Sequence, residues 1–182
     1  MAFPVTRERR LGGNPGPAGL AVAALFLSAL ALRLLRTVPE PDSAPACDQV
    51  GAALDRALLG GQASGASTGC IVVQFDDPLQ LCDRHGRACQ SEVLAASIGR
   101  LRGALRLGDR LFTLEDGSLA VVLGPAQRLD LEAMVRIAGR LQLVIQQPMT
   151  LPSGPVQLTC SVGFCPARSL PGADGIALLD AA

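Results

Sequence analysis

The chain has no lysine, tryptophan or tyrosine, and only one histidine. Each absence removes a chemistry. Without lysine there is no amine for a Schiff base and no lysine to grip a phosphate, and all 16 basic residues are arginine. With aromatic residues at 3%, a stacking platform for single-stranded nucleic acid is excluded. The 16 acidic residues balance the arginines to a formal charge of zero, so no basic field draws in nucleic acid. Hydrophobic residues are abundant instead: at 49% of 182 residues they suffice for the core of one ordinary domain plus an appendage.

Six cysteines, at 47, 70, 82, 89, 160 and 165, raise the question of a disulfide framework. Their placement argues against one. Cys70 and Cys160 sit inside the apolar runs GCIVVQF and VQLTCSVGF, where a free thiol behaves as a small hydrophobe. Cys82 and Cys89 flank His85 in CDRHGRAC, three potential zinc ligands without a clear fourth. No metal site is assigned.

Residues 1–17 are polar, rich in Arg, Gly and Pro, and read as disordered. Residues 18–32, AGLAVAALFLSALAL, carry no charge, and Arg33 and Arg36 follow. A span needs about 20 mostly apolar residues, so 18–36 crosses a membrane if both arginines snorkel to the headgroups. A cleavable signal peptide is the rival: Arg7, Arg9 and Arg10 form a basic start, and Ala44-Pro45-Ala46 has the small-x-small form of a cleavage site. Residues 37–46 form a proline-punctuated linker.

From residue 47 onward the pattern is α/β. CDQVGAALDRALL places Val50, Leu54 and Leu58 on one helical stripe. Residues 60–69 read as a Gly/Ser/Ala loop, and CIVVQFDD as a buried strand. A helix over 90–106 presents Leu94, Ile98, Leu101 and Leu105 on one face. Apolar runs 111–114 and 119–123 flank Asp116-Gly117, which predicts a hairpin with a two-residue turn. DLEAMVRIAGRLQLVIQQ predicts a helix capped by Asp130, with Leu131, Met134, Val135, Ala138, Leu141 and Ile145 on its stripe. PVQLTCSVGFCPA supplies another strand, and DGIALLDAA begins a closing helix.

The stretch LRGALRLGDRLFTLEDGSLAVVL, 101–123, resembles the GGDEF domain of bacterial cyclic-di-GMP signalling, whose pattern here is roughly LRxxDxxxRxGGDEFAVLL. Aligned without gaps, Glu115, Asp116, Gly117, Ser118 and Leu119 occupy the five signature positions. The segment 74–94 is similar to the family's DxDxFKxxNDxxGHxxGDxxL: Asp76, Asp83, Gly86 and Leu94 keep their places. Gln74 stands at the first, metal-binding aspartate, Leu79 at the lysine, and Cys82 and Ser91 at the guanine-binding asparagine and aspartate. In the helix over CDQVGAALDRALL, Asp48, Gly51, Leu54, Arg56 and Leu58 match the family's opening segment loosely; Ser161 and Gly163 match the later VxVTxSxGxA.

The resemblance covers 47–182. It implies a nucleotidyl-cyclase, ferredoxin-like α/β fold with a mainly antiparallel central sheet flanked by helices, incomplete at its C-terminus; the apolar run at 18–36 adds one N-terminal transmembrane helix as its tether. The resemblance also implies a degenerate site. A cyclase holds two metal ions on carboxylates and lets a triphosphate approach the hairpin backbone, and the third and fourth signature positions carry no carboxylate here. No catalytic residue, metal ligand or cofactor is therefore expected, magnesium entering only for an active cyclase. What persists is Arg106-x-x-Asp109 at the spacing of the family's inhibitory site. There arginine would fork onto guanine acceptors of cyclic-di-GMP and aspartate would accept from guanine N–H groups. Implied partners are cyclic-di-GMP, the bacterial inner membrane, a second copy or an EAL domain. Nucleic acid is not among them. Active diguanylate cyclase, fragment of an EAL phosphodiesterase and exported cysteine-containing protein are the alternatives.

Overall fold

Strand β1, Ser67–Phe75, is the centre of the fold, and it is buried from Ser67 to Ile71 and again at Val73. A strand covered on both faces has no polar side to alternate with, which is why its sequence reads as a continuous apolar run. The computed structural model describes residues 45–77, 83, 86–152 and 154–182. The expected membrane helix at 18–36 and the disordered segment 1–17 lie outside the described residues. Among the described residues no helix is long and apolar enough to cross a membrane.

The element order is α1 (Ala46–Ser64), β1, α2 (Arg87–Ala104), β2 (Arg110–Thr113), β3 (Leu119–Ala126), α3 (Leu131–Gln146), β4 (Met149–Leu151), β5 (Gly154–Val156), β6 (Cys160–Pro166), a 3-10 turn (Ala167–Ser169) and α4 (Gly175–Asp180). The four-stranded sheet runs β2-β3-β1-β6, and every pairing in it is antiparallel. This is the order of a βαββαβ, ferredoxin-like unit.

Alternation along the strands sorts the two faces. Ile71, Val73, Leu119, Val121 and Leu123 point into a core completed by Val93 and Leu101 of α2 and Met134, Leu141 and Ile145 of α3. Cys70, Phe112, Ala120, Val122 and Cys165 point to the other side, under Val50 and Leu54 of α1 and Leu178 and Leu179 of α4.

Four expectations are corrected. The loop at 60–69 shrinks to Gly65 and Ala66, because β1 begins at Ser67 and α1 continues to Ser64. Gly65 at φ 65 then ends it, with the Ala66 N–H bonded back to the Gly61 carbonyl at 2.9 Å, a closure that glycine at the left-handed position permits. The buried face of α2 is rotated by one residue: Cys89, Val93, Ser97 and Leu101 are buried, while Leu94, Ile98 and Leu105 are half-buried at its side. On α3, Leu131 and Val135 are 63% and 52% exposed, so the packed stripe is Met134, Ala138, Leu141 and Ile145. Finally, PVQLTCSVGFCPA is two strands. β5 pairs only with β4 in a separate ribbon, where Pro155, lacking an N–H, is tolerated, and β6 alone joins the main sheet.

Candidate functional site

Two loops carry the residues of interest: the tip of the β2–β3 hairpin and the α2–β2 connection. At the tip, the Leu114 N–H donates to the Ser118 carbonyl at 2.8 Å and the Gly117 N–H to the Leu114 carbonyl at 3.0 Å, with Gly117 at φ 83. The connection is therefore three residues, Glu115-Asp116-Gly117, closed by a turn whose third residue is left-handed. This corrects the two-residue turn, which would have needed a positive φ at Asp116; among the described non-glycine residues only Asp77, at φ 50, has one.

Asp116 folds onto the turn. Its Oδ1 accepts from the Ser118 N–H at 2.9 Å and the Ser118 hydroxyl at 2.6 Å. The hydroxyl bond, then the backbone bond, holds the Asp116 carboxyl below its usual range. Glu115 is exposed.

The end of β1 lies beside this tip, since Val73 pairs with Leu119. Gln74, the next residue, is exposed and pairs on its other side with Ser161. Asp76 accepts from the Ser161 hydroxyl at 2.9 Å and donates its N–H to the Thr159 carbonyl at 3.0 Å, which ties β1 to the start of β6. Ser91 turns its hydroxyl back to the Ala88 carbonyl at 2.9 Å. Of the CDRHGRAC cysteines, Cys89 is buried in the core, and Cys82 and His85 lie outside the described residues. No group of three or more His, Cys, Asp or Glu among the described residues is placed to hold a metal ion.

The Arg106-x-x-Asp109 loop is built around Asp109. Its side chain is 2% exposed. Oδ2 accepts from the Arg106 N–H at 2.9 Å, and Oδ1 accepts from the Gly124 N–H at 3.0 Å and from Arg106 Nη2 at 3.2 Å. Arg106 Nη2 also reaches the Gly124 carbonyl at 3.4 Å. The loop thus rests on β3 where Gly108 and Gly124 touch: a Cβ on Gly124 would stand 2.7 Å from the Gly108 carbonyl oxygen. Arg106 is brought together with Asp109 as the spacing suggested, yet the two differ in access, because the arginine side chain is 52% exposed. Gly124 as their shared partner was missed on the sequence, although a glycine inside an apolar strand signals close backbone approach. From the hairpin tip the loop lies on the order of 17 Å along the strands, at about 3.4 Å per residue.

This is an α/β domain of the ferredoxin-like type, with a hairpin at one end of the sheet and an arginine-bearing loop at the other. No family model and no curated protein matches the chain. Solved structures do. The GGDEF domain of TpbB, also called YfiN, from Pseudomonas aeruginosa is 27% identical, with a TM-score of 0.64 over 74% of this chain and 77% of that one. The coiled coil and GGDEF domain of DgcB from Caulobacter crescentus, solved in complex with cyclic-di-GMP, is 17% identical, with a TM-score of 0.64 over 90% of this chain and 87% of that one. The diguanylate cyclase SiaD from Pseudomonas aeruginosa, solved with its activator SiaC, is 17% identical, with a TM-score of 0.61 over 90% of this chain and 66% of that one. The described part of the chain is a GGDEF-like domain.

Proposed function

We propose that this chain is a catalytically silent GGDEF-like module of cyclic-di-GMP signalling, acting through binding, and held at the cytoplasmic face of a bacterial inner membrane by residues 18–36. The observation that carries the reading is the hairpin tip. Metal-assisted attack on a triphosphate needs carboxylates that converge on the ions. At this tip Gly117 and Ser118 offer none, Asp116 is bonded to Ser118, and the neighbouring position on β1 is Gln74. Magnesium has a role only in the rival reading, an active cyclase.

Binding falls to the other loop. Asp109 is already satisfied by Arg106 and Gly124, so its part is to aim the arginine, and the Arg106 guanidinium is the group left to meet a guanine. The complex of DgcB with cyclic-di-GMP supports the choice of ligand. A second copy or an EAL domain would receive the signal.

The test is calorimetric titration of the full chain, in mild detergent, with cyclic-di-GMP, and with GTP plus magnesium in parallel. Saturable cyclic-di-GMP binding, lost in Arg106→Ala with the circular dichroism spectrum unchanged, is the expected result. Magnesium-dependent formation of cyclic-di-GMP from GTP would replace this reading with the cyclase. No binding by a folded chain would leave contacts with other proteins as the only function.

A further inference from the structure

The described cysteines, 47, 70, 89, 160 and 165, are all free, and two of them face each other. In the β1–β6 ladder the register is unbroken from Gly69↔Pro166 to Phe75↔Cys160, and it sets Cys70 directly opposite Cys165. The Asp76 N–H bond to the Thr159 carbonyl continues the ladder by one pair. Counting back by twos from that bonded pair, Cys70 and Cys165 fall in the hydrogen-bonded class, whose Cα atoms are about 5.5 Å apart. Disulfides span Cα separations of about 4.4–6.8 Å and Cβ separations of about 3.5–4.5 Å. Since the Cβ atoms of a hydrogen-bonded pair stand about 5.5 Å apart, closure has to draw the two side chains together by about 1 Å. Both side chains enter the same core cluster, so they lie on the same face of the sheet.

What keeps the pair reduced is its cover. Cys70 is wholly buried and Cys165 5% exposed, beneath Val50 and Leu54 of α1 and Leu178 and Leu179 of α4. Burial, and after it the neighbouring Cys165, pushes the Cys70 thiol up to about 12, so little nucleophilic thiolate forms while the cover is in place. α4 is the smaller part of that cover, six residues long, and the Gly175 N–H at its start donates to Asp55 Oδ1 of α1 at 2.7 Å.

We propose that Cys70 and Cys165 are a cross-strand dithiol that closes to a disulfide when a low-molecular-weight disulfide such as oxidised glutathione reaches it, and that α4 is the gate. With α4 lifted, the more accessible Cys165 loses its proton and attacks one glutathione sulfur. A mixed disulfide forms, and one glutathione leaves as thiolate. The Cys70 thiolate then attacks the Cys165 sulfur, the Cys70–Cys165 bond forms and the second glutathione leaves. The two thiol protons end on the two glutathione thiolates, and two protein sulfurs are oxidised for one glutathione disulfide reduced. The product clamps the central strand to the edge strand.

The full chain is incubated with oxidised glutathione, blocked with iodoacetamide and digested with trypsin. Cleavage after Arg56, Arg84, Arg140 and Arg168 puts Cys70 on peptide 57–84 with Cys82, and Cys165 on 141–168 with Cys160. The expected result is a cross-link between these peptides that vanishes in Cys165→Ser and persists in Cys160→Ser and Cys82→Ser. Absence of that cross-link, or its survival in Cys165→Ser, overturns the dithiol. For the gate, Asp55→Ala should speed cross-linking several-fold, the effect of losing a helix-cap bond, and Asp55→Asn should restore the slow rate. Cys89, buried on the opposite face of the sheet, must stay unlabelled in the native protein. An unchanged rate in Asp55→Ala, or equal exposure of Cys89, overturns the gate.

Discussion

Asp109 is the residue on which the candidate binding loop depends. Replacing it with alanine leaves the Gly124 and Arg106 N–H groups without their acceptor. An unsatisfied buried donor costs about 1–3 kcal/mol, so Asp109→Ala should lower unfolding stability by about 2 kcal/mol, measured by urea denaturation. Arg106→Ala should cost far less, because that side chain is half in solvent. Equal losses would mean that Asp109 is no anchor. Ser97 is the converse case: its hydroxyl is buried in α2 with no hydrogen-bond partner. Ser97→Ala should stabilise the chain by roughly 1 kcal/mol, and a loss in the same assay would contradict this.

The pH dependence of the hairpin tip also belongs to single residues. The Asp116 pKa is lowered in the folded state, first by the Ser118 hydroxyl. Its contribution to stability is therefore present above the unfolded carboxyl value of about 3.9, and is lost as pH falls through the lower folded value. A carbon-detected NMR titration should find the Asp116 carboxyl titrating below the ordinary range, and moving back up in Ser118→Ala. No movement would show that the hydroxyl bond is not the cause.

At the scale of elements, α2 and α3 are joined by one arginine. The Arg100 guanidinium donates to the carbonyls of Val144 and Ile145 at 3.3 Å, of Pro148 at 2.8 Å, and of Gln147. The last carbonyls of α3 would otherwise be unpaired, and a cation there also meets the negative end of the helix dipole. Arg100→Ala should cost about 1–2 kcal/mol and raise amide exchange in the last turn of α3. Arg100→Lys should recover only part of this, since a point charge cannot fork across several carbonyls. The helix itself was legible: Asp130 caps α3 through the Ala133 N–H at 2.8 Å, a bond between neighbours in sequence. The orientation of α2 was less legible, because its inward stripe includes Ser97 and Cys89, which a search for leucine spacing passes over. The hairpin was legible as a hairpin, and only its loop length differed.

For the whole molecule, the sheet separates two cores that share its strands. Leu54 belongs to the α1 side and Ile145 to the α3 side. Leu54→Ala should cost about 2–5 kcal/mol and Ile145→Val about 0.5–1.5 kcal/mol. Without common neighbours their effects should add to within about 0.5 kcal/mol in the double variant. A larger departure would reveal coupling through the strands. Because β1 contributes to both cores, one unfolding transition is expected for the described domain.

The sequence by itself determined the kind and order of the main elements, the hairpin, the Asp130 cap and the Arg106/Asp109 spacing. These are written in periods and neighbours a few residues apart, which local sterics and burial read directly. Only the tertiary structure decided that Asp109 anchors on Gly124, that Arg100 reaches the end of α3, and that Cys70 meets Cys165. Each depends on strand register or helix packing between segments 15 to 95 residues apart, where a shift of one residue would bring different side chains together.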